Sequence, residues 1–217
     1  MDFAAARQIM VDSQIRPNDV TDPDIVRAFL SVPREHFVPR PKQTIAYSEM
    51  EISTGENRAL WIPRDTGKLV AALDPSPGDV CLVVAAGAGY EAAILSHLCD
   101  TVIAIDETAE TVDKLSERMA HLGLDRVVAV EAPLTEGLPD QGPFDLIVIC
   151  GMVEQVSGAL TAQLADGGRL AAVVAEDSAL GRGRIYTRSG DVVSHRDVFD
   201  ATPPKLEAFN APRPFVF

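Results

Sequence analysis

Residues 79–106 read DVCLVVAAGAGYEAAILSHLCDTVIAID, and the rest of the chain can be placed from them. Val80, Leu82, Val83 and Val84 form a short apolar run of the kind buried on both faces of a parallel sheet. Gly87 and Gly89 break it, and Tyr90–Leu98 resumes with helical apolar spacing at Ala93, Ile94, Leu95 and Leu98. A second apolar strand, Val102–Ile105, ends in Asp106. This order predicts half of a nucleotide-binding β-α-β unit. Glycine lets the backbone turn and lets a ligand lie against it, and the free N–H groups of a helix start favour an anionic or polar group. An acid at the tip of the second strand can accept hydrogen bonds from both hydroxyls of a ribose. Two blander readings stand beside this one: a tight strand-to-helix turn with no ligand, and Asp106 as a cap for a helix beginning near Thr108.

The chain has 217 residues, enough for one domain with or without an N-terminal extension. A formal net charge of −13, with no basic run, argues against nucleic acid or an anionic membrane as the main partner. Cys81, Cys99 and Cys150 are odd in number, and two fall in apolar strand runs, so they read as buried thiols in a reducing compartment. Four scattered histidines and no Cys-x-x-Cys give no metal pattern. No apolar stretch has the length of a signal peptide or membrane span, which makes a cytoplasmic location the expectation.

Before the glycine loop, residues 3–15 read as a helix ended by Arg16-Pro17, and Thr21-Asp22-Pro23 as the start of a second with Ile25, Val26, Phe29 and Leu30 on one face. Pro33–Pro41 reads as an irregular connector, Ala46–Pro63 as extended chain or loop, and Thr66–Leu73 as a short helix. Asp74-Pro75-Ser76-Pro77-Gly78 is the sharpest boundary. It divides residues 1–73, a mainly helical cap, from residues 74–217, an α/β domain. Beyond Asp106, Val112, Leu115, Met119 and Leu122 fall on one helical stripe closed by Gly123. Strands are expected at Val127–Val130, Phe144–Ile149 and Leu170–Val174, with a helix at Val156–Leu164 and a turn at Gly167-Gly168. Arg184–Thr187 and Val192–Val198 flank Ser189-Gly190 as a hairpin. Strands alternating with helices and ending in a hairpin predict an α/β, doubly wound sheet with an antiparallel C-terminal edge.

Some stretches carry a family resemblance. Ser31-Val32-Pro33-Arg34-Glu35-His36-Phe37-Val38-Pro39 resembles the Val-Pro-Arg-Glu-x-Phe-Val-Pro stretch of protein-L-isoaspartate O-methyltransferases. Ala46-Tyr47, Pro77-Gly78-Asp79, Gly87-Ala88-Gly89-Tyr90, Ala93–Leu98, Pro143–Val148 and Gln163-Leu164 with Gly167–Leu170 continue the match, over roughly residues 5–175. The resemblance implies a Rossmann-like class I S-adenosylmethionine methyltransferase fold, a seven-stranded sheet with an N-terminal helical cap. It also implies methylation of isoaspartyl carboxylates in damaged proteins or peptides. Ala85, Gly87, Gly89, Tyr90 and Asp106 are the cofactor positions it points to. In such an enzyme a carboxylate needs no strong base, and catalysis is alignment with the sulfonium methyl plus desolvation.

Departures from the pattern sit at functional positions. The substrate-loop signature Gly-Gln-Thr-x-Ser-x-Pro aligns with Asn57-Arg58-Ala59-Leu60-Trp61-Ile62-Pro63, which puts Trp61 at the catalytic serine. An indole offers one donor and no acceptor. The strand ending Leu-Glu-x-Gly is Leu82-Val83-Val84-Ala85, and a methyl at Ala85 is expected to require negative φ. The Gly-Asp whose acid meets the adenine amino group is Ala132-Pro133. Trp61 is either a core anchor or a remodelled pocket wall, Tyr90 is expected to pack beside the loop, and Arg34-Glu35 reads as a structural ion pair. S-adenosylmethionine should therefore bind weakly or not at all, through a pocket narrowed by Pro133, Val83 or neighbouring side chains. Two alternatives to the family activity follow. One is a catalytically inactive member acting as a binding or regulatory module, favoured for the isoaspartate chemistry. The other is a nicotinamide oxidoreductase, since Gly87–Ala92 fits G-x-G-x-x-A but explains neither the Val-Pro-Arg-Glu stretch nor the cap.

Overall fold

A computed structural model describes residues 1–55, 58–175 and 180–211. Its centre is a seven-stranded sheet in the order β5-β4-β3-β6-β7-β8-β9, from β3 (Val80–Val84), β4 (Thr101–Asp106), β5 (Val127–Glu131), β6 (Phe144–Val153), β7 (Leu164–Val174), β8 (Gly181–Ser189) and β9 (Val192–Ala201). The strands from β5 to β7 are parallel, and β8 and β9 add antiparallel pairs at the edge. The chain moves outward from β3 to β5, then returns to lay β6 on the other side of β3. That reversal leaves a crevice at the carboxyl ends of β3 and β6, where ligands of such sheets bind. Side chains of β3 alternate between two cores. Cys81 and Val83 join one with the N-terminal helices, while Leu82 and Val84 join the other.

The cap is more regular than expected. α1 (Phe3–Met10) runs into a π turn, Val11–Ile15, and a 3₁₀ turn, Arg16–Asn18, so Pro17 does not end the helical path. The path ends at Asp19, whose φ is 64°. Proline is tolerated there because it stands at the first turn of a new helical segment. α2 (Pro23–Ser31) begins as expected, with the Asp22 carboxylate accepting from the N–H groups of Asp24 and Ile25. The connector after it contains two 3₁₀ turns, Arg34–Phe37 and Arg40–Ile45. The stretch read as loop holds a small antiparallel pair, β1 (Ile52–Gly55) and β2 (Arg58–Leu60), leading into α3 (Pro63–Leu73).

Two helices are shorter than their apolar pattern. α4 is Tyr90–Leu95, and α6 is Gly158–Ala162, capped by the Ser157 hydroxyl accepting from the Leu160 N–H. α5 (Ala109–His121) buries Leu115 and Met119 of the expected stripe. The turn expected at Gly167-Gly168 lies inside the opening of β7. All three cysteines are free and buried, and among the described residues no helix is long and apolar enough to cross a membrane.

After β9 the chain returns to the crevice. The Met152 N–H donates to the Pro204 carbonyl at 2.9 Å, and the Leu206 N–H to the Met152 carbonyl at 2.8 Å. β7 occupies one edge of Met152, so this segment takes the edge that β3 vacates after Val84. Leu206 lies so close to Gly151 that a Cβ there would meet Leu206 Cγ at 2.4 Å. The protein thus covers part of its own switch point with Leu206 and Phe209, both buried.

Candidate functional site

The loop leaving β3 departs from expectation at its first residue. Ala85 has φ 57°, in the left-handed region, rather than the negative φ its methyl favours. It is buried, in the core cluster that also holds Val84 and Ala132. The Ala86 N–H donates to the Ile105 carbonyl and the Gly89 N–H to the Ala86 carbonyl, which closes the turn tightly enough to impose that conformation.

Gly87 and Gly89 do different work. Gly87, at φ 53°, lines a cavity of about 510 Å³. Gly89, at φ 87°, faces α5, where a Cβ would stand 2.2 Å from Leu115 Cδ1. Close packing of the helix on the loop therefore requires glycine at this position. Tyr90 is fully buried, edge-on to Phe29 and Phe37 and under the Arg34 guanidinium, 4.7 Å from its ring centre. It packs beside the loop, as expected, and is not among the residues that line the cavity at Gly87.

Asp106 stands at the tip of β4 and lines the cavity, only 3% exposed. Its Oδ2 accepts from the Gly87 N–H at 2.8 Å and its Oδ1 from the Glu107 N–H at 2.9 Å. It does not cap α5, because Thr108 does, with its hydroxyl accepting from the Thr111 N–H. The carboxylate instead ties the glycine loop to the neighbouring strand.

Arg58 has no cofactor role in the sequence reading, yet it dominates the geometry. From β2 its Nη2 reaches Asp106 Oδ1 at 3.6 Å and Glu107 Oε2 at 3.5 Å. Its Cβ, Cγ and Cδ lie 3.7–3.8 Å from where a Cβ on Gly87 would be. The close approach that glycine offers a ligand is taken up by an arginine stem. Arg58 and Glu107 also wall a second cavity of about 450 Å³ with Leu134, Lys205 and Leu206. The narrowing expected at this loop therefore comes from Arg58, not from Pro133, which is exposed, or Val83, which is buried in the opposite core. The only signal in the sequence was a long cation replacing a polar residue in the substrate loop.

Trp61 is 2% exposed and belongs to the core cluster of the cap, which decides between its two readings in favour of an anchor. Its carbonyl accepts from Arg34 Nη2 at 2.5 Å, and Arg34 Nε donates to the Ala46 carbonyl at 2.7 Å. Arg34 is thus not paired with Glu35. Glu35 takes Arg7 at 3.4 Å and the Tyr47 hydroxyl, and burial with that carboxylate pushes the tyrosine well up. Asn57, the first aligned residue of the substrate loop, lies outside the described residues. Behind the loop Glu91 is 4% exposed, its Oε1 unpartnered, and burial raises its carboxyl above the ordinary range. Burial, then the charges of Glu91 and Asp106, raises the Cys150 thiol.

Comparison with known proteins agrees with this architecture. Residues 5–198 match the family described as protein-L-isoaspartate(D-aspartate) O-methyltransferase. The chain belongs to that family. It is 32% identical over 187 residues to protein-L-isoaspartate O-methyltransferase 1 of Rhodopseudomonas palustris (strain HaA2), covering 86% of this chain and 76% of that one. It is 35% identical over 174 residues to a protein-L-isoaspartate O-methyltransferase of Roseiflexus sp. (strain RS-1), covering 78% of each. A solved protein-L-isoaspartate O-methyltransferase superposes with a TM-score of 0.82 at 19% identity, over 92% of this chain and 65% of that one. A second, from Plasmodium falciparum in complex with S-adenosyl-L-homocysteine, gives 0.78 at 16% identity, over 96% and 99%.

The residues present fit an adenosyl group only in part. Gly87 and Asp106 line the cavity, but Arg58 faces the Asp106 carboxylate. Position 133 is a proline, which offers adenine no side-chain acceptor.

Proposed function

We propose that this family member keeps a weak adenosyl-ligand site at Gly87 and Asp106 and does not methylate isoaspartyl carboxylates, serving as a binding or regulatory module on the methyltransferase scaffold. The observation that carries the reading is Trp61. It stands at the aligned hydroxyl position and is committed to the core, its carbonyl held by Arg34. No hydroxyl is left there to orient a substrate carboxylate. The missing adenine acceptor points the same way, since a charge-assisted hydrogen bond is worth roughly 1.5–3 kcal/mol.

Support for an adenosyl ligand comes from the family, from the glycine loop at the switch point, and from a related structure that holds S-adenosyl-L-homocysteine. The test is transfer of labelled methyl from S-adenosylmethionine to an isoaspartyl peptide, with the aspartyl peptide as control. The expected result is no turnover above the control. Titration with S-adenosylmethionine should give a dissociation constant weaker than about 1 μM, which corresponds to roughly −8.2 kcal/mol. Robust methylation by the unmodified chain would return it to the ordinary family activity.

A further inference from the structure

Arg58 meets both the loop glycine and the β4 carboxylate of the candidate site. Its stem lies on Gly87, its guanidinium faces Asp106 and Glu107, and it lines both cavities. We propose that Arg58 sets the affinity of the adenosyl site by competing with the ligand for Asp106, so that binding requires the guanidinium to leave. The inference rests on reading Gly87 and Asp106 as an adenosyl site.

The geometry is that of a releasable contact. Charge-assisted hydrogen bonds run to about 2.7–2.9 Å, and Arg184 meets Asp197 at 2.7 Å on β8 and β9. Arg58 stands at 3.5 and 3.6 Å from its two acids, and its Nε is buried without a hydrogen-bond partner. Its side chain is 20% exposed and that of Glu107 46%, so solvent is at hand to receive the cation. Asp106, by contrast, is fixed by two backbone N–H groups and stays when Arg58 moves. Those two bonds leave lone pairs that Arg58 now faces and that ribose hydroxyls could use. Arg58 lines both cavities, so its departure would also enlarge the space beside Gly87 and that beside Leu134 and Leu206.

The experiment is calorimetric titration of the full chain with S-adenosylhomocysteine, comparing the parent with Arg58→Ala and Arg58→Met. Arg58→Met keeps an unbranched stem on Gly87 but removes the charge. Arg58→Ala should bind at least tenfold tighter than the parent, and Arg58→Met should tighten by a smaller factor. Raising salt should tighten the parent, by screening the Arg58–Glu107 pair, and leave both variants unchanged. Equal or weaker binding by Arg58→Ala overturns the proposal, as does undetectable binding by parent and variants alike. Thermal unfolding confirms that each variant is folded; should Arg58→Ala fail, Glu107→Gln, which frees the outer end of the guanidinium, must tighten binding or the proposal falls. The functional reading falls separately, on parent turnover or tight parent binding, whatever the variants do.

Discussion

At Ala85 a side chain sits in backbone space that glycine fills at no cost, and the consequence is measurable. Left-handed φ costs an L-residue about 1–2 kcal/mol. Ala85→Gly would relieve that, but it loses a buried methyl worth about 0.8 kcal/mol and adds unfolded-state freedom worth about 0.4–1 kcal/mol. The terms nearly cancel, so urea unfolding should place Ala85→Gly within about 1 kcal/mol of the parent. Ala86, also buried but without positive φ, has no strain to release. Ala86→Gly should therefore be the more destabilising of the two. Glu91 supplies a second prediction, through pH. Burial raises its native pKa above the ordinary 4.5, so between those values the native state binds more protons than the unfolded one. Stability from this group then falls as pH rises through that window. Glu91→Gln should be more stable than the parent at pH 7, and the gap should narrow as the pH approaches 4.5. A constant gap across that range would show that Glu91 does not titrate differently on folding. That Gly87 and Asp106 would come together was legible because strand, turn and acid lie within 28 residues of one another. The sequence did not disclose Arg58, whose partner is 48 positions away and is chosen by how the cap docks.

The elements divide along the same line. β3, β4 and α5 are legible because local periodicity and burial agree: both faces of the strands are covered, and one helical stripe is buried. The cap is less legible. Its π and 3₁₀ turns and the β1–β2 pair are selected by packing on the sheet rather than by a repeating pattern. The segment at Lys205–Leu206 has no pattern of its own, and it is placed by pairing with Met152 and by the space left at Gly151. Gly89 shows what such close packing demands. A methyl there would strike Leu115 and Met119 of α5, and φ of 87° already disfavours a side chain. Gly89→Ala should cost about 3 kcal/mol, from overpacking of about 1–3 kcal/mol plus left-handed strain of about 1–2 kcal/mol. The denaturation midpoint is the readout, with an unchanged value showing that α5 can give way.

For the molecule as a whole, the boundary at Asp74–Gly78 is sharp in sequence, but the core does not stop there. One buried cluster runs from Met10, Phe29, Phe37 and Trp61 in the first 73 residues to Val83, Val102 and Val148 in the sheet. Arg34 ties the cap to itself through Ala46 and Trp61, and its guanidinium lies on Tyr90 at the start of α4. Two domains joined by a linker would each keep a core when separated; here neither part closes its apolar surface without the other. We therefore expect a single cooperative unfolding transition. The chain supplies its own probe, since Trp61 is its one tryptophan, buried at 2% exposure in the core that the cap shares with the sheet. Its fluorescence reports the cap, while far-ultraviolet circular dichroism reports helices and sheet together. In urea the two signals should change with the same midpoint and the same slope. A fluorescence transition that precedes the dichroism change would mean that the cap detaches first. The glycine loop and Asp106 would then persist in a molecule without Arg58 over them, and S-adenosylhomocysteine should be tested against that intermediate.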